Sequence, residues 1–140
     1  MSVTRIPVRS RKKQVMLCVR LDHFQGECSI YHLTENPGSA NVPLLRVSGA
    51  EEHVRGVVLR SEAGLPGHRL VYTVHVPGGG ELDPRARVVI MVFTKRKVLE
   101  NGCIELEIPA QTLGGTPKSL GGCIEFVSAQ TSPEAEQEQH

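Results

Sequence analysis

His23, Cys28 and His32 are the residues whose types and spacing come nearest to a metal site in this chain. Imidazole nitrogen and thiolate sulfur are ligands that Zn²⁺ prefers, and a structural zinc site needs four of them. In an extended strand Cys28 and His32 project from the same face, because side chains alternate with a period of two. A fourth ligand is missing, and the spacing fits no common zinc pattern. The pattern favours a buried thiol and two surface imidazoles, so we expect no metal or other cofactor.

Nucleophilic catalysis would need a cysteine or hydroxyl beside a base. No local signature pairs any of the six histidines with one of the four cysteines, which are Cys18, Cys28, Cys103 and Cys123. The glycine run 78–80 is not followed by the lysine and the serine or threonine of a phosphate-binding P-loop. Asp22 and Asp83 are the only aspartates, too few for a calcium-binding cluster. The sequence therefore predicts no enzymatic activity.

Charge is the chemistry that remains, and its distribution is uneven although the formal net charge is only +1. The first thirteen residues hold five bases and no acid, a second basic run follows at 95–97, and Glu134, Glu136 and Glu138 end the chain. Basic clusters contact the phosphates of nucleic acid or anionic lipid and release counterions. The predicted phosphate-binding residues are Arg5, Arg9, Arg11, Lys12, Lys13, Lys95, Arg96 and Lys97. A solvated tail, a nuclear localisation signal at 9–13 and a solvated hairpin end at 95–97 are the alternatives.

Aromatic residues are scarce, with three phenylalanines, two tyrosines and no tryptophan. Stacking of bases on aromatic rings, which RNA-recognition sheets use, is therefore largely unavailable. We expect any RNA binding to tolerate changes of sequence and to weaken with salt.

A length of 140 residues suits one domain, and an apolar fraction of 39% predicts a lean core of valine, leucine and isoleucine. No apolar run approaches the roughly 18 residues of a membrane-spanning helix, and the N-terminus lacks the apolar segment of a secretory signal. The cysteines form neither a CxxC pair nor a dense disulfide pattern. We expect reduced thiols and residence in the cytoplasm or nucleus.

Strand signals recur along the chain. Val15–Asp22 and Arg69–Val76 alternate with the period of two that is typical of half-buried strands. Arg87–Phe93 is apolar on both faces, which predicts a central strand covered from both sides. Shorter strands are predicted at Cys28–Thr34, Val42–Val47 and Val54–Arg60.

Asn101 and Gly102 predict a type I′ hairpin turn, because both residues tolerate positive φ. The partner strand is then Cys103–Ile108. Its Glu105 and Glu107 would lie across from the second basic run, where opposite charges on neighbouring strands attract.

Seven or eight short strands without an amphipathic helix predict an all-β fold, a single compact β-sandwich or barrel-like domain with short helical turns. The glycine-rich stretch 109–122 is predicted as an irregular connection, and Cys123–Ser128 as the last strand. The domain is expected over 15–128. A basic flexible arm, or at most an edge strand, precedes it at 1–14, and an acidic disordered tail follows at 129–140.

Three stretches of the chain resemble the small matrix proteins of bornaviruses and related negative-strand RNA viruses. They are VMLCVRLDHFQG at 15–26, NVPLLRV at 41–47 and PGHRLVYTVHV at 66–76, and the resemblance covers residues 14–128. It implies a compact β-sandwich similar to the N-terminal half of filovirus matrix proteins. It also implies homotetramers that contact membrane and single-stranded RNA and bridge nucleocapsid to envelope. An endogenous viral copy in an animal genome would resemble them equally.

The expected function is that of a viral matrix-like assembly protein that self-associates and binds its partners electrostatically. Those partners are further copies of itself, single-stranded RNA or nucleoprotein, and anionic membrane, with no small-molecule substrate. The expected location is the cytoplasm and nucleus of the host cell and the inner face of the virion or plasma membrane. RNA and lipid both present phosphates, so the choice between them stays open. The alternative is a non-enzymatic β-sandwich adaptor that binds a protein partner through an edge strand or loops.

Overall fold

The computed structural model describes residues 2–8, 14–33, 42–59, 63–79, 82–95, 97–109 and 118–129. The regular structure of these residues consists of nine β-strands, and they include no helix long and apolar enough to cross a membrane. The strands are β1 (Ser2–Val8), β2 (Val15–Asp22), β3 (Glu27–Leu33), β4 (Leu45–Ser48), β5 (Val54–Leu59), β6 (Arg69–Val76), β7 (Arg87–Phe93), β8 (Val98–Glu107) and β9 (Lys118–Ser128).

The strands form two sheets that pack face to face. Sheet A has the order β1-β9-β6-β3-β4, and sheet B has the order β5-β2-β7-β8. The sheets also approach each other at their edges, β1 against β8 and β4 against β5. Between β4 and β5 the chain makes one turn, in which Glu52 N–H donates to the Ser48 carbonyl at 2.7 Å. The prediction of an all-β sandwich is confirmed, with nine strands described in place of seven or eight.

Strand β1 lies in the stretch predicted as an arm or an edge strand. It is an edge strand of sheet A and pairs in parallel with β9 over its whole length. Ile6 and Val8 are buried in the core, and the Val8 carbonyl accepts a hydrogen bond from Ala129 N–H at 3.2 Å. Residues 9–13 and 130–140, which hold the rest of the predicted arm and tail, lie outside the described residues.

The hydrophobic core lies between the sheets and follows the predicted alternation. Every second side chain is buried along β2 and β6, namely Val15, Leu17, Val19, Leu21, Leu70, Tyr72, Val74 and Val76. Phe24 and Phe126 add two buried rings. Valine, leucine and isoleucine supply most of the remaining buried surface, as the composition predicts.

The β7–β8 hairpin differs from the prediction. Asn101 and Gly102 lie within β8, and the strands are joined by an earlier turn in which Thr94 N–H donates to the Lys97 carbonyl at 2.9 Å. The pairing register of β8 against β7 shifts at this point, which marks a β-bulge. Asn101 has a φ of 61°. The positive φ that asparagine tolerates therefore serves the bulge, and the predicted type I′ turn is wrong.

The altered hairpin also changes the charge pairing. Glu107 lies opposite Arg87 in the register, and Glu105 Oε2 is 3.7 Å from Arg87 Nη1. The predicted pairing of these glutamates with the second basic run is wrong. The observed turn places Lys95 and Lys97 at the other end of the hairpin.

Strand β9 begins at Lys118, earlier than the predicted start at Cys123, so the end of the predicted irregular connection is strand. Gly122 faces the core opposite Tyr72. A Cβ atom on Gly122 would collide with the ring and hydroxyl of Tyr72. The glycine therefore makes room for a buried tyrosine and does not end the strand.

Candidate functional site

The outer face of sheet B points away from the core, and the strand registers arrange its side chains in rows. The middle row runs across the four strands as Gly56, Cys18, Met91 and Cys103. The row on one side of it consists of Val58, Met16, Phe93 and Val98. The row on the other side consists of Val54, Arg20, Val89 and Glu105. We call the apolar part the sheet B face, and it comprises Met16, Cys18, Val54, Val58, Val89, Met91, Phe93, Val98 and Cys103.

The sheet B face is most exposed at the edge strands and partly buried at its centre. Val54 is 52% exposed and Val98 is 46% exposed, whereas Met91 and Phe93 are half-buried. Strand β7 is packed against the core on its inner side, and no other described element packs on its outer side. On that outer side Val89 is only 2% exposed whereas Met91 and Phe93 are half-buried, so the cover predicted for both sides of β7 is, among the described residues, only partial on the outside.

The outer face of sheet A differs, because a row of charged side chains crosses it at the end where β6 begins. Arg5, Glu125 and Arg69 lie side by side on β1, β9 and β6. Glu125 Oε2 is 3.5 Å from Arg69 Nη2 and 4.0 Å from Arg5 Nε. Arg46 and Glu27 form a further ion pair between β4 and β3. A partner docked over this row would desolvate these ions. On sheet B the two adjacent rows that hold Met16, Phe93, Cys18 and Met91 carry no charge across all four strands, so the sheet B face is the better apolar docking surface.

Charges border the sheet B face differently at its two ends. Where β2 ends and β7 begins, three acids stand beside two bases, namely Asp22, Glu105, Glu107, Arg20 and Arg87. Arg20 Nε is 2.9 Å from Asp22 Oδ1. Lys95 and Lys97 are exposed in the β7–β8 turn at the opposite end. We call these the acidic end and the basic end of the sandwich.

The predicted phosphate-binding residues are only partly brought together. The two lysines lie at the same end of the sandwich as Val8 and Gln14, because β1 ends and β2 begins at this end. Five of the predicted bases lie outside the described residues. Arg9, Arg11, Lys12 and Lys13 belong to the segment between Val8 and Gln14, and Arg96 belongs to the β7–β8 turn. Arg5 lies apart from the two lysines, on the outer face of sheet A.

The candidate metal ligands are separated in the fold. Cys28 is buried in the core, His23 lies at the acidic end and His32 lies at the basic end. Nε2 of His32 is 3.3 Å from Nδ1 of His68. Within the described ranges, no three histidine, cysteine or carboxylate side chains converge to hold a metal ion.

A pocket of about 320 Å³ opens at the acidic end. It is lined by His23, Phe24, Gln25, Pro77, Gly79, Leu82 and Asp83. His23 Nδ1 is 4.0 Å from Asp83 Oδ2, but these lining residues include no serine, threonine or cysteine. Hydrogen bonds from the Arg85 side chain and backbone N–H lower the pKa of Asp83. The carboxylate therefore fixes the turn before β7.

The four cysteines are free thiols in different surroundings. Burial raises the pKa of Cys28 to about 12 from its ordinary value of 9.0, and it also raises the pKa of Cys18. Cys103 is exposed. Cys18 and Cys103 flank Met91 in the middle row, so two strand spacings, about 9.6 Å, separate their Cα atoms. That distance is too long for a disulfide within one chain.

The buried Cys28 thiol predicts a loss of stability at alkaline pH. The unfolded chain loses this proton near pH 9, whereas the folded protein keeps it up to about pH 12, so rising pH favours unfolding across that window. The loss through this group should reach about 4 kcal/mol. In urea unfolding at stepped pH, Cys28→Ala should lose less stability than wild type, and Cys103→Ala should follow wild type. Equal alkaline slopes for Cys28→Ala and wild type would contradict this assignment.

Sequence reasoning did not single out the sheet B face as a site. The signal that could have found it is the strand β7 with apolar residues on both faces, next to Met16 and Cys18 on the outward side of β2. Such a pattern is typical of a second buried surface, and the second surface in this fold is the outside of the sheet.

The chain matches no protein-family model, no curated protein and no solved structure.

Proposed function

We propose that this chain is a non-enzymatic assembly protein that self-associates through the sheet B face and binds phosphate-bearing partners through its basic end. The observation that carries the proposal is the exposed or half-buried apolar surface of two methionines, two cysteines, one phenylalanine and three valines on the outside of sheet B, beside the buried Val89. Burial of apolar surface is favourable by about 25 cal/mol per Å². The resemblance to matrix proteins supports a viral setting in which such an assembly bridges nucleocapsid and envelope.

The size of the face sets the strength of association that we expect. Strands about 4.8 Å apart with a rise of about 3.3 Å per residue give a four-stranded face of roughly 430 Å². Two such faces bury roughly 900 Å², close to the 1,000 Å² or so that a specific interface needs. The methionines adapt their shape to an opposing surface. We therefore expect a reversible, concentration-dependent association.

The basic end supports the second half of the proposal. Lys95 and Lys97 are exposed there, and segment 9–13, whose described neighbours lie at the same end, adds four bases in the sequence. Phosphate contacts made by such residues release counterions whatever the base sequence. With about five contacts on a single strand, log K should fall with log salt at a slope of roughly −3.5.

Sedimentation of the wild-type protein at increasing concentration tests both halves of the proposal. We expect the mass to rise from a monomer to a discrete dimer or tetramer. Homopolymeric single-stranded RNA, or vesicles containing phosphatidylserine, should sediment with the protein at low salt and release it at high salt. The RNA and vesicle arms show which source of phosphate the protein prefers. A monomer at every concentration, or binding that is indifferent to salt, would contradict the proposal.

Two double variants with equal loss of charge control the binding arm. Lys95→Gln with Lys97→Gln removes two charges from the basic end and should weaken binding to the RNA or the vesicles. Arg46→Gln with Arg55→Gln removes two exposed charges from the β4 and β5 edges, away from the basic end, and should leave binding near wild type. Equal weakening by the two variants would show a diffuse effect of net charge and would exclude a site at the basic end.

The adaptor function is the second candidate, and the edge strand β5 favours it. Val54 and Arg55 at the start of β5 are exposed at the edge of sheet B, where a peptide could dock beside the contact between β4 and β5. An adaptor would stay monomeric in the same sedimentation experiment and would ignore RNA and vesicles.

A further inference from the structure

We infer that the partner of the sheet B face is a second copy of this chain, related by a two-fold axis that lies between the two faces and runs across the strands. This inference rests on the self-association proposed above and adds the orientation of the two copies. Each strand of sheet B then lies over the same strand of the other copy and runs in the opposite direction. The interface is isologous, so every contact between different residues occurs twice.

Charge complementarity selects this orientation over the other symmetric one. The acidic end holds one acid more than it holds bases, whereas the basic end presents Lys95 and Lys97. An axis across the strands turns the second copy end for end, so the basic end of each copy lies over the acidic end of the other. An axis along the strands would place basic end over basic end, and like charges oppose that arrangement.

The rows of the face show where the axis passes. Met91 lies in the middle row, with the Phe93 row on the side of the basic end and the Val89 row on the side of the acidic end. An axis at the middle row brings the row of Met16, Phe93 and Val98 over the row of Arg20, Val89 and Glu105 of the other copy. It also brings Lys97 towards Glu107 of the other copy. Uncharged side chains then meet at the middle row, and charged side chains lie on either side of it.

Charged side chains lie on both sides of the uncharged middle row, with Arg20, Glu105 and the rest of the acidic end on one side and Lys95 and Lys97 on the other. Rim charges contribute chiefly to orientation and to the rate of encounter, while the apolar centre supplies the affinity. A second copy supplies both the affinity and the orientation, because it presents apolar rows to the centre and the opposite net charge to each rim.

A charge swap tests the orientation. One variant carries Lys95→Glu and Lys97→Glu, and the other carries Glu105→Lys and Glu107→Lys. In a pair made of two copies of the same variant, like charges would face each other at both rims. The dissociation constant of each variant in sedimentation equilibrium should therefore rise about tenfold or more. An equimolar mixture should form mixed pairs with close to wild-type affinity, because both rims regain opposite charges.

The outcomes separate this inference from the proposal beneath it. Wild type that associates, together with a mixture that does not recover, would overturn the two-fold orientation and leave self-association standing. Wild type that stays monomeric would overturn both. Circular dichroism monitors the fold, and if a double variant melts early, Lys97→Glu and Glu107→Lys are mixed in its place with the same expected recovery.

Cys103 provides a second measurement of the axis position. With the axis at the middle row, the exposed Cys103 thiols of the two copies lie close together. A short bis-maleimide should therefore join Cys18→Ser chains into covalent dimers. Addition of Cys103→Ser to the same chains should reduce the yield of these dimers strongly. A dimer yield that does not depend on Cys103 would overturn this position of the axis.

Discussion

Replacing Met91 by glutamate should convert the self-associating protein into a monomer that keeps its fold. Met91 is half-buried at the middle of the sheet B face, between Cys18 and Cys103 on the neighbouring strands. In the monomer a glutamate there reaches water, whereas in the pair it would be held between two apolar surfaces. An unpaired carboxylate is costly to bury, and a two-fold pair would bury two of them. The dissociation constant should therefore rise by about 100-fold or more, which corresponds to about 2.7 kcal/mol.

Val71→Glu is the matched control for this variant. Val71 is a half-buried, outward-facing residue at the centre of sheet A, between Tyr31 and Cys123 on the neighbouring strands. The substitution adds the same carboxylate to the opposite outer face and should leave the dissociation constant unchanged. Sedimentation velocity measures the mass, and circular dichroism verifies the fold. If Val71→Glu separates the copies and Met91→Glu does not, the interface lies on sheet A.

Gly122→Val should destabilise the fold by about 3 kcal/mol, although valine is the better strand former. Gly122 faces inward on β9, and a Cβ atom there would overlap the ring and hydroxyl of Tyr72. Tyr72 is fully buried in the core, and close-packed interiors cannot absorb added methyl groups without strain. Urea unfolding followed by circular dichroism measures the loss.

The neighbouring glycine and the tyrosine provide the controls. Gly121 is exposed on the outward side of β9, where an added Cβ atom would approach only the Tyr72 backbone oxygen, at 3.0 Å, so Gly121→Val should cost less than Gly122→Val. Combined with Tyr72→Leu, Gly122→Val should cost less than the sum of the two single changes, because the shorter side chain leaves room for the valine. Equal losses at positions 121 and 122, or strict additivity with Tyr72→Leu, would show that the glycine does not act through Tyr72.

The proposed self-association also accounts for the outward-facing thiols. Cys18 and Cys103 are both part of the sheet B face, and a small weakly polar side chain packs there much as an aliphatic one does. Burial of the face in a pair would cover both side chains. Their presence on an outer sheet surface is therefore consistent with an assembly in a reducing compartment, the one that the cysteine pattern predicts.

The period-two alternation determined much of the fold directly. Along β2 and β6 successive side chains point to opposite faces of the strand. The apolar positions therefore identify the buried face without knowledge of any other strand. The same reasoning predicted the all-β class, because no segment carries the periodicity of a helix. The charge of the first thirteen residues is likewise a property of the sequence alone.

Other features were decided only by the packing of distant segments. Asn101 and Gly102 tolerate positive φ equally well in a turn and in a bulge, and the pairing of β8 with β7 selected the bulge. Strand β1 pairs in parallel with β9 from the far end of the chain, and no local pattern specifies such a partner.

The sheet B face shows the boundary between the two kinds of information most clearly. The sequence by itself determined that β7 is apolar on both sides, since this follows from the residue types of Arg87–Phe93. Only the tertiary structure decided which side meets the core and which is left for a partner. The reason is physical: alternation assigns a side chain to a face of its strand, whereas the stacking of two sheets decides what covers that face.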